Sequence, residues 1–300
     1  MVKNIGIIGM HDKGNGHPFS FSAIVNGYDR EQFKMANWSG ILNYLESKKE
    51  DEFGFNGVKI THAWTQDKKI TKILCAACKI PNLVDNPSEM LDKIDALIVA
   101  RDDMHAEIAL PFLKKGIPVF IDKPLTLNEE ELNSFIPYLK NGTLMSTSCM
   151  RFARELDSVR SDLSEILPVQ LISATVLNEL DRYGIHMIDA IDSLGLLSVN
   201  KVKRLDVNYD SFHLQSENGP EILLNCLGEV SKTFHLSIFG KKGHIHADLH
   251  DNFNAFKRTL GYFFKMVDDK IPPIEPEKVI RIMNLIRESK NLKPNCSIKL

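Results

Sequence analysis

Over the first 122 or so residues, short apolar runs alternate with amphipathic stretches. The run Ile5 to Ile8 ends at Gly9, a polar, glycine-rich loop follows, and Pro18 to Asn26 has helical character. Val58 to Trp64 predicts a second strand, Ile70 to Cys78 a helix and Leu83-Val84 a short third strand. Asn86 to Lys93 predicts a helix that Ser88 helps to start. Asp95 to Ala100 shows almost no alternation, the pattern of a strand covered on both faces by helices. A helix over His105 to Lys115 closes at Gly116, a residue suited to the left-handed position after a helix, and Ile117 to Ile121 forms a fifth strand. Strand and helix periods that keep alternating imply βαβ units, a parallel sheet and right-handed crossovers.

Near Asn128 the pattern changes. Apolar residues at 132, 135, 136 and 139 make a helix face over Glu129 to Leu139. Leu144 to Cys149 reads as a strand, Phe152 to Ile166 as a helix, Val169 to Val176 as a strand and Ile185 to Leu196 as a helix. Five strand-like segments follow with little helix between them: 199–209, 211–217, 221–227, 233–239 and 243–249. Asn218-Gly219-Pro220 marks a hairpin turn. Val279, Ile280, Met283 and Ile286 share a face of a terminal helix over 277–289, which is expected to pack back on the first domain. The fold class is therefore α/β: a doubly wound Rossmann-type domain over 1–124, then an α+β domain over 125–300 with an open, mostly antiparallel sheet. That open face is where a second copy is expected to associate.

Composition narrows the function by exclusion. In 300 residues, 43% are hydrophobic and 25% charged, which is globular composition with room for two domains. A net charge of −2 speaks against a sequence-independent nucleic-acid binder, which needs a basic surface. No apolar run approaches the ~20 residues that cross a bilayer, and the N-terminus has no leader pattern. Five cysteines in so long a chain do not form a disulfide framework, so a cytoplasmic protein with reduced thiols is expected.

Candidate chemistry gathers at the ends of the predicted strands, where open α/β sheets bind ligands. After the first strand come Gly9, Met10, His11, Gly14, Gly16 and His17, a turn able either to admit a pyrophosphate to backbone N–H groups or to serve as a flexible surface loop. Its glycines lack the G-x-G-x-x-G spacing. Asp67, past the second strand, could accept hydrogen bonds from a ribose hydroxyl or be a solvated loop charge, with Lys68 and Lys69 beside it; the balance tips slightly to NAD over NADP. Arg101, Asp102 and His105 follow the fourth strand, with Asp102 or Asp103 expected to cap the next helix. Val119 to Lys123 carries the strongest signal. A lysine at the carboxyl end of a buried parallel strand faces the crevice where a nicotinamide lies, and its ammonium can lower a substrate hydroxyl's pKa. Further on, His186 and Asp189 share a helix face, placing a proton-accepting imidazole beside an orienting carboxylate.

These residues together resemble the Gfo/Idh/MocA family, the glucose–fructose oxidoreductase and inositol dehydrogenase relatives. The likeness is carried by the glycine turn, Asp95 to Ala100, His105, Gly116 to Pro124 with Asp-Lys-Pro in place of the usual Glu-Lys-Pro, Arg151, Gly184 to Asp189 and Phe239 to Gly243. It implies NAD or NADP, hydride transfer at a carbinol of a sugar, polyol or related small molecule, and Lys123 with His186 as the catalytic pair. It also implies Arg151 at the substrate, a special peptide geometry at Pro124, and assembly of copies through the second sheet. Two readings on the same fold stand beside it: a non-catalytic regulatory binding protein, and an NAD-dependent lyase or hydrolase acting by transient oxidation. Two departures are visible. The glycine spacing is irregular, and Arg182 stands where many members have an aspartate four residues before the histidine, leaving Tyr183 to supply a hydroxyl. Residues 28–57 look like an insertion, helical around Ile41, Leu42 and Leu45. Cys75 and Cys78 read as inert thiols, and His244, His246 and His250 lack the partners of a metal site.

Overall fold

The structure is a computed structural model and describes residues 2–10 and 15–300. Its chain divides into two units: Met1–Ser146 with Thr259–Pro276, and Thr147–Arg258 with Glu277–Leu300.

The first unit is built on β1 (Lys3–Gly9), whose last five residues are buried. After it come α1 (His17–Asn26), α2 (Arg30–Lys34) and α3 (Ser39–Glu46), then β2 (Val58–Thr65), α4 (Lys68–Ala77) and the two-residue β3 (Asn82–Leu83). The expected helix after Asn86 is only a 3₁₀ turn, Pro87–Met90; Asn86 caps it, accepting from the N–H of Ser88, while Glu89 reaches back to close a capping box. β4 (Ala96–Ala100) is buried at every position, α5 (His105–Lys114) follows, and β5 (Val119–Asp122) is again wholly buried. Then come α6 (Glu129–Lys140), started by the Asn128 side chain, and β6 (Leu144–Thr147). The sheet order is β3-β2-β1-β4-β5-β6, the Rossmann order expected from the alternating pattern. The pairs β1–β2, β1–β4, β4–β5 and β2–β3 are all parallel. The sheet thus continues past residue 124, because α6 and β6 add its last βα step.

The second unit has α7 (Glu155–Ile166), β7 (Val169–Val176) and α8 (Ile185–Ser193), then β8 (Lys201–Arg204), β9 (Asp210–Gln215), β10 (Glu221–Cys226), β11 (Phe234–Gly240) and β12 (Gly243–Asp248). Its seven-stranded sheet has the order β12-β11-β7-β10-β9-β8-β13, where β13 is Ser297–Lys299 near the end of the chain. Only β7–β10 is parallel among the pairs, as expected for a mixed, mostly antiparallel sheet. Alternating burial along β7 and β10 shows that one face is packed and the other open. A five-residue π-helix, Leu180–Gly184, precedes α8.

Two helices differ from expectation. α9 (Asn252–Asp269) was not anticipated, although Phe253, Phe256, Leu260, Phe263, Phe264 and Val267 recur at helical spacing and are all buried. Its part from Thr259 onward belongs to the first unit, with Phe263 5.8 Å from Phe120 of β5 between ring centroids. α10 (Pro276–Asn291), expected on the first domain, groups from Glu277 with the second unit instead, where Arg281 donates to Asp192 at 3.0 Å.

Phe263 is completely buried under the sheet. Replacing it by alanine leaves a cavity as well as losing burial, so Phe263→Ala is expected to cost about 3–5 kcal/mol in urea denaturation. An unchanged midpoint would show that this stretch of α9 contributes nothing to the first unit's core.

Candidate active site

The parallel register brings Gly9, Thr65 and Ala100 side by side at the carboxyl edge of the first sheet. Gly9 is required there by space: a Cβ would lie 2.1 Å from Pro18 Cγ and 3.2 Å from the Ala100 carbonyl oxygen. The end of β1 at Gly9 therefore lies as close to the start of α1 as a glycine fingerprint demands, although the glycine spacing is different. Met10 takes a left-handed φ of 71°. His11 and Gly14 lie outside the described residues. At Gly16 a Cβ would meet Ile41 Cδ1 at 2.3 Å and Trp38 Cε3 at 3.0 Å, so the 28–57 segment lies directly on the turn. Tyr44 of α3 adds a hydrogen bond from its hydroxyl to Ser20 Oγ at 2.5 Å.

Asn15 ties this turn to β4. Its Oδ1 accepts from the His17 N–H at 3.2 Å and its Nδ2 donates to Asp102 Oδ1 at 2.9 Å. The expected helix cap by Asp102 or Asp103 is not found: the residue before α5 is Met104, in a left-handed conformation, and no side chain caps the helix. Asp103 instead accepts from Arg101 Nε at 2.6 Å. Arg101 is 3% exposed, lies 5.7 Å from the Trp64 ring, and its buried Nη1 has no hydrogen-bond partner among the described residues. A permanent cation with an unanswered N–H at a ligand edge suits a phosphate or ribose oxygen. His105 is turned inward, its ring nitrogens against the carbonyls of Leu125 (2.8 Å) and Arg101 (2.7 Å), so it braces the edge. Asp67 caps α4, its Oδ1 accepting from the Lys69 N–H at 2.7 Å.

At the end of β5, Asp122 and Lys123 are both buried, and Lys123-Pro124 is a cis peptide. The first residue of α1, His17, meets Asp122 with Nδ1 2.5 Å from Oδ2. Burial by itself pushes the Asp122 carboxyl up; the attraction and hydrogen bond of His17, with the Lys123 charge and amide, outweigh it and hold it below the usual carboxylate range.

The second unit carries its own buried cluster. Arg151, on the 3₁₀ turn Cys149–Phe152, donates from Nη2 to Asp189 Oδ1 at 2.7 Å and to Asp192 Oδ2 at 2.6 Å. Its Nε also reaches Asp189 Oδ1 at 3.1 Å. Burial alone would lower the guanidinium's pKa, but the two carboxylates more than offset it and raise it. Asp189 Oδ2 accepts from the Ser148 N–H at 2.6 Å and from Thr147 Oγ1 at 3.2 Å. Asp189, expected to orient His186 or touch substrate, is thus committed to Arg151 and to the chain around Ser148. His186 pairs instead with Ser148, Nδ1 to Oγ at 2.6 Å. Tyr183 and Phe234 flank its ring edge-on at 5.5 and 5.4 Å.

Sequence reading missed Asn15, Trp64, Asp122, Ser148 and Asp192 as members of these clusters. Asp192 had a visible signal, since 186, 189 and 192 recur at helix spacing; Ser148 had none, because the fold brings it to His186 from 38 residues away. The discounted thiols are indeed poor nucleophiles: burial pushes Cys75 up to about 11 and Cys78 well up. Among the described residues no group of three or more His, Cys, Asp or Glu could hold a metal, and no helix is long and apolar enough to cross a membrane.

Comparison with known proteins follows this geometry. Residues 38–145 match the family model described as an oxidoreductase family with an NAD-binding Rossmann fold. The matched segment starts just before α3 and so leaves out β1 and the glycine turn. No curated protein sequence matches the chain. Solved structures similar in fold include a myo-inositol 2-dehydrogenase from Lactobacillus plantarum, with a TM-score of 0.78 at 14% identity and 100% of each chain covered. Another is a scyllo-inositol dehydrogenase from Lactobacillus casei with bound NAD(H) and scyllo-inositol, with a TM-score of 0.76 at 14% identity over 100% of this chain and 99% of that one. A third is a probable dehydrogenase from Thermotoga maritima, with a TM-score of 0.74 at 17% identity over 99% of this chain and 98% of that one. At such identities the likeness is one of fold.

Two outcomes test the clusters. Arg151→Ala leaves two buried carboxylates facing each other and is expected to cost about 3–5 kcal/mol of stability, seen as a lower urea midpoint. Asp122, with its folded pKa below the ordinary value, contributes stability that is present above the usual carboxylate range and lost as pH falls through the folded value. The wild-type protein should therefore lose stability more steeply than Asp122→Asn as pH falls through and below the ordinary carboxylate range. Parallel pH profiles for the two proteins would mean that the His17 pairing does not stabilise the carboxylate.

Proposed function

We propose that this chain, whose N-terminal domain is of the Gfo/Idh/MocA oxidoreductase family, is a dehydrogenase that interconverts a carbinol and a carbonyl on a polyol, sugar or related small molecule. The reading is carried by Lys123: a buried lysine at the carboxyl end of β5, beside the His17–Asp122 pair, in a domain matched to an NAD-binding family.

The residues present fit NAD. Gly9 allows the close approach that a pyrophosphate needs, and the amides at the start of α1 offer it N–H donors. Arg101 has an unanswered buried N–H for an anionic or ribose oxygen, and Asp67 at the exit of β2 favours a free ribose hydroxyl over a 2′-phosphate, so NAD is preferred to NADP. Bound NAD supplies the hydride acceptor in oxidation and the hydride in reduction. Lys123 hydrogen-bonds the reacting hydroxyl and offsets the negative charge that develops as its proton leaves. His186 completes the acid–base pair, with Tyr183 against its ring. Arg151 and Asp189 hold the backbone on which the substrate-binding side chains stand. The open face of the second sheet, which carries Phe239 at 41% exposure, is where a second copy docks. The inositol dehydrogenases of similar fold make inositols the natural first substrates to try.

The test is Lys123→Met against wild type, assayed for NADH formation with NAD and a panel of inositols and hexoses. Turnover is expected to fall at least ~100-fold while NADH binding, followed by nicotinamide fluorescence, stays within a few-fold. Undiminished turnover removes Lys123 from the chemistry. Failure of wild type to bind NADH at millimolar concentration overturns the dehydrogenase reading itself.

A further inference from the structure

A cavity of ≈ 410 Å³ lies between the end of α1, the 28–57 segment, the start of β2 and the turn after α4. Its walls carry Tyr28, Lys48, Glu50, Phe53, Lys59 and Lys79. Lys59 pairs with Asn4 at the amino end of the first sheet, whereas Gly9 and Thr65 pair at the carboxyl end. Along β2 the two ends are about 20 Å apart. We propose that this cavity is a ligand site separate from the dinucleotide edge, and that it takes a small phosphate ester bearing hydroxyls, such as a sugar or polyol phosphate. The inference does not depend on the dehydrogenase reading.

Asn26, the last residue of α1, builds the floor. Its Nδ2 donates to the Ile60 carbonyl at 2.8 Å and to the Cys78 carbonyl at 3.2 Å, and its Oδ1 accepts from the Ile60 N–H at 3.0 Å. Ile60 follows Lys59 and Cys78 precedes Lys79, so one side chain fixes the backbone beside both lysines. Gly27 and Gly54 line the cavity with φ of 76° and 84°, in the left-handed region that favours glycine. A Cβ at Gly27 would stand 3.8 Å from Lys79 Nζ, which places that ammonium against the turn. The frame is set before any ligand arrives, so little ordering cost falls on binding.

The charges on this frame are not spent on one another. Among the described residues the ammonium groups of Lys59 and Lys79 form no hydrogen bond or ion pair, and neither does the Glu50 carboxylate. Nearby surface charges do pair off, Arg30 with Glu46 and Lys34 with Glu31. Lys59 and Lys79 are open to solvent, so a ligand can reach both, and Lys48 adds a third positive charge to the wall. Ammonium groups around one small cavity suit a doubly charged phosphate. A bare phosphate leaves Glu50 as a repelling neighbour, whereas a ligand hydroxyl that donates to this carboxylate turns it into a partner. Tyr28 and Phe53, with ring centroids 5.7 Å apart, offer the apolar surface against which a small carbon skeleton packs.

The 28–57 segment meets both edges of the sheet. Trp38 and Ile41 lie against Gly16 beside the glycine turn, while Lys48, Glu50, Phe53 and Gly54 line the cavity. An occupant therefore braces, from the amino edge, the segment that lies on the turn at the carboxyl edge.

Isothermal titration calorimetry on the full chain tests the site, with glucose 6-phosphate, inorganic phosphate and glucose as probes and no dinucleotide added. Glucose 6-phosphate is expected to bind saturably, at least ~10-fold more tightly than either inorganic phosphate or glucose. The double variant Lys59→Gln/Lys79→Gln, whose ammonium groups have no partner to lose among the described residues, should keep the wild-type urea midpoint and bind the ester at least ~10-fold more weakly. Glu50→Gln should narrow the gap between the ester and inorganic phosphate. No saturation by glucose 6-phosphate at ~20 mM, an equal affinity for inorganic phosphate or glucose, or undiminished binding by the double variant overturns the proposal. If the ester binds as expected and NADH does not, the dehydrogenase reading falls and this site stands.

Discussion

Arg151 holds its charge in the interior of the second unit by gripping two carboxylates of one helix, and much of what lies around it follows from that grip. An interior guanidinium must be compensated, and Asp189 and Asp192, three residues apart on α8, face it together. Once Asp189 is spent in this way, its second oxygen fastens the Ser148 amide, and Ser148 in turn meets the His186 ring. The imidazole is thus at the end of a relay of fixed groups whose first member touches no ring atom of the histidine. In the first unit the same requirement is met differently. There Asp122 is compensated by a histidine at the start of α1 and by the lysine that follows it in sequence, so a helix end and a strand end are joined by charge.

How much of this was legible in the sequence depends on whether the signal is local. The β4 segment is apolar at all five positions and could only be a doubly covered strand, and the lysine directly after β5 declared its place once the strands were counted. The antiparallel strands of the second unit were legible for the same reason, with turn residues at Asn218-Gly219-Pro220 separating β9 from β10. β13 was not, since three residues carry no period. α9 was overlooked in spite of a clear helical stripe, because its sequence follows a run of strands and holds Gly261 and several polar residues among its phenylalanines. Helix capping around β4 was misjudged because Asp102 and Asp103 had stronger partners to hand: an asparagine from the glycine turn and the Arg101 guanidinium. Side-chain partners chosen across 38 or 87 residues leave no trace in local pattern, and Ser148 and Asn15 are of that kind.

The end of β1 meets the start of α1 closely without the usual glycine spacing. The usual fingerprint spreads its glycines so that a strand can turn into a helix against a pyrophosphate. Here Gly9 meets the steric demand against Pro18, while Asn15 supplies a cross-link to Asp102, just past the neighbouring strand. The family match begins only after this turn, at residue 38.

Gly16 has no room for a side chain because Trp38 and Ile41 occupy the space beside it. The turn and the 28–57 segment are therefore one part, not two. Grafting a regular dinucleotide turn into this chain would strand the indole and the isoleucine against a surface of the wrong shape, and deleting the segment would uncover the turn. Exchange between this protein and its structural relatives can succeed only if the whole stretch from β1 to β2 travels as a single module.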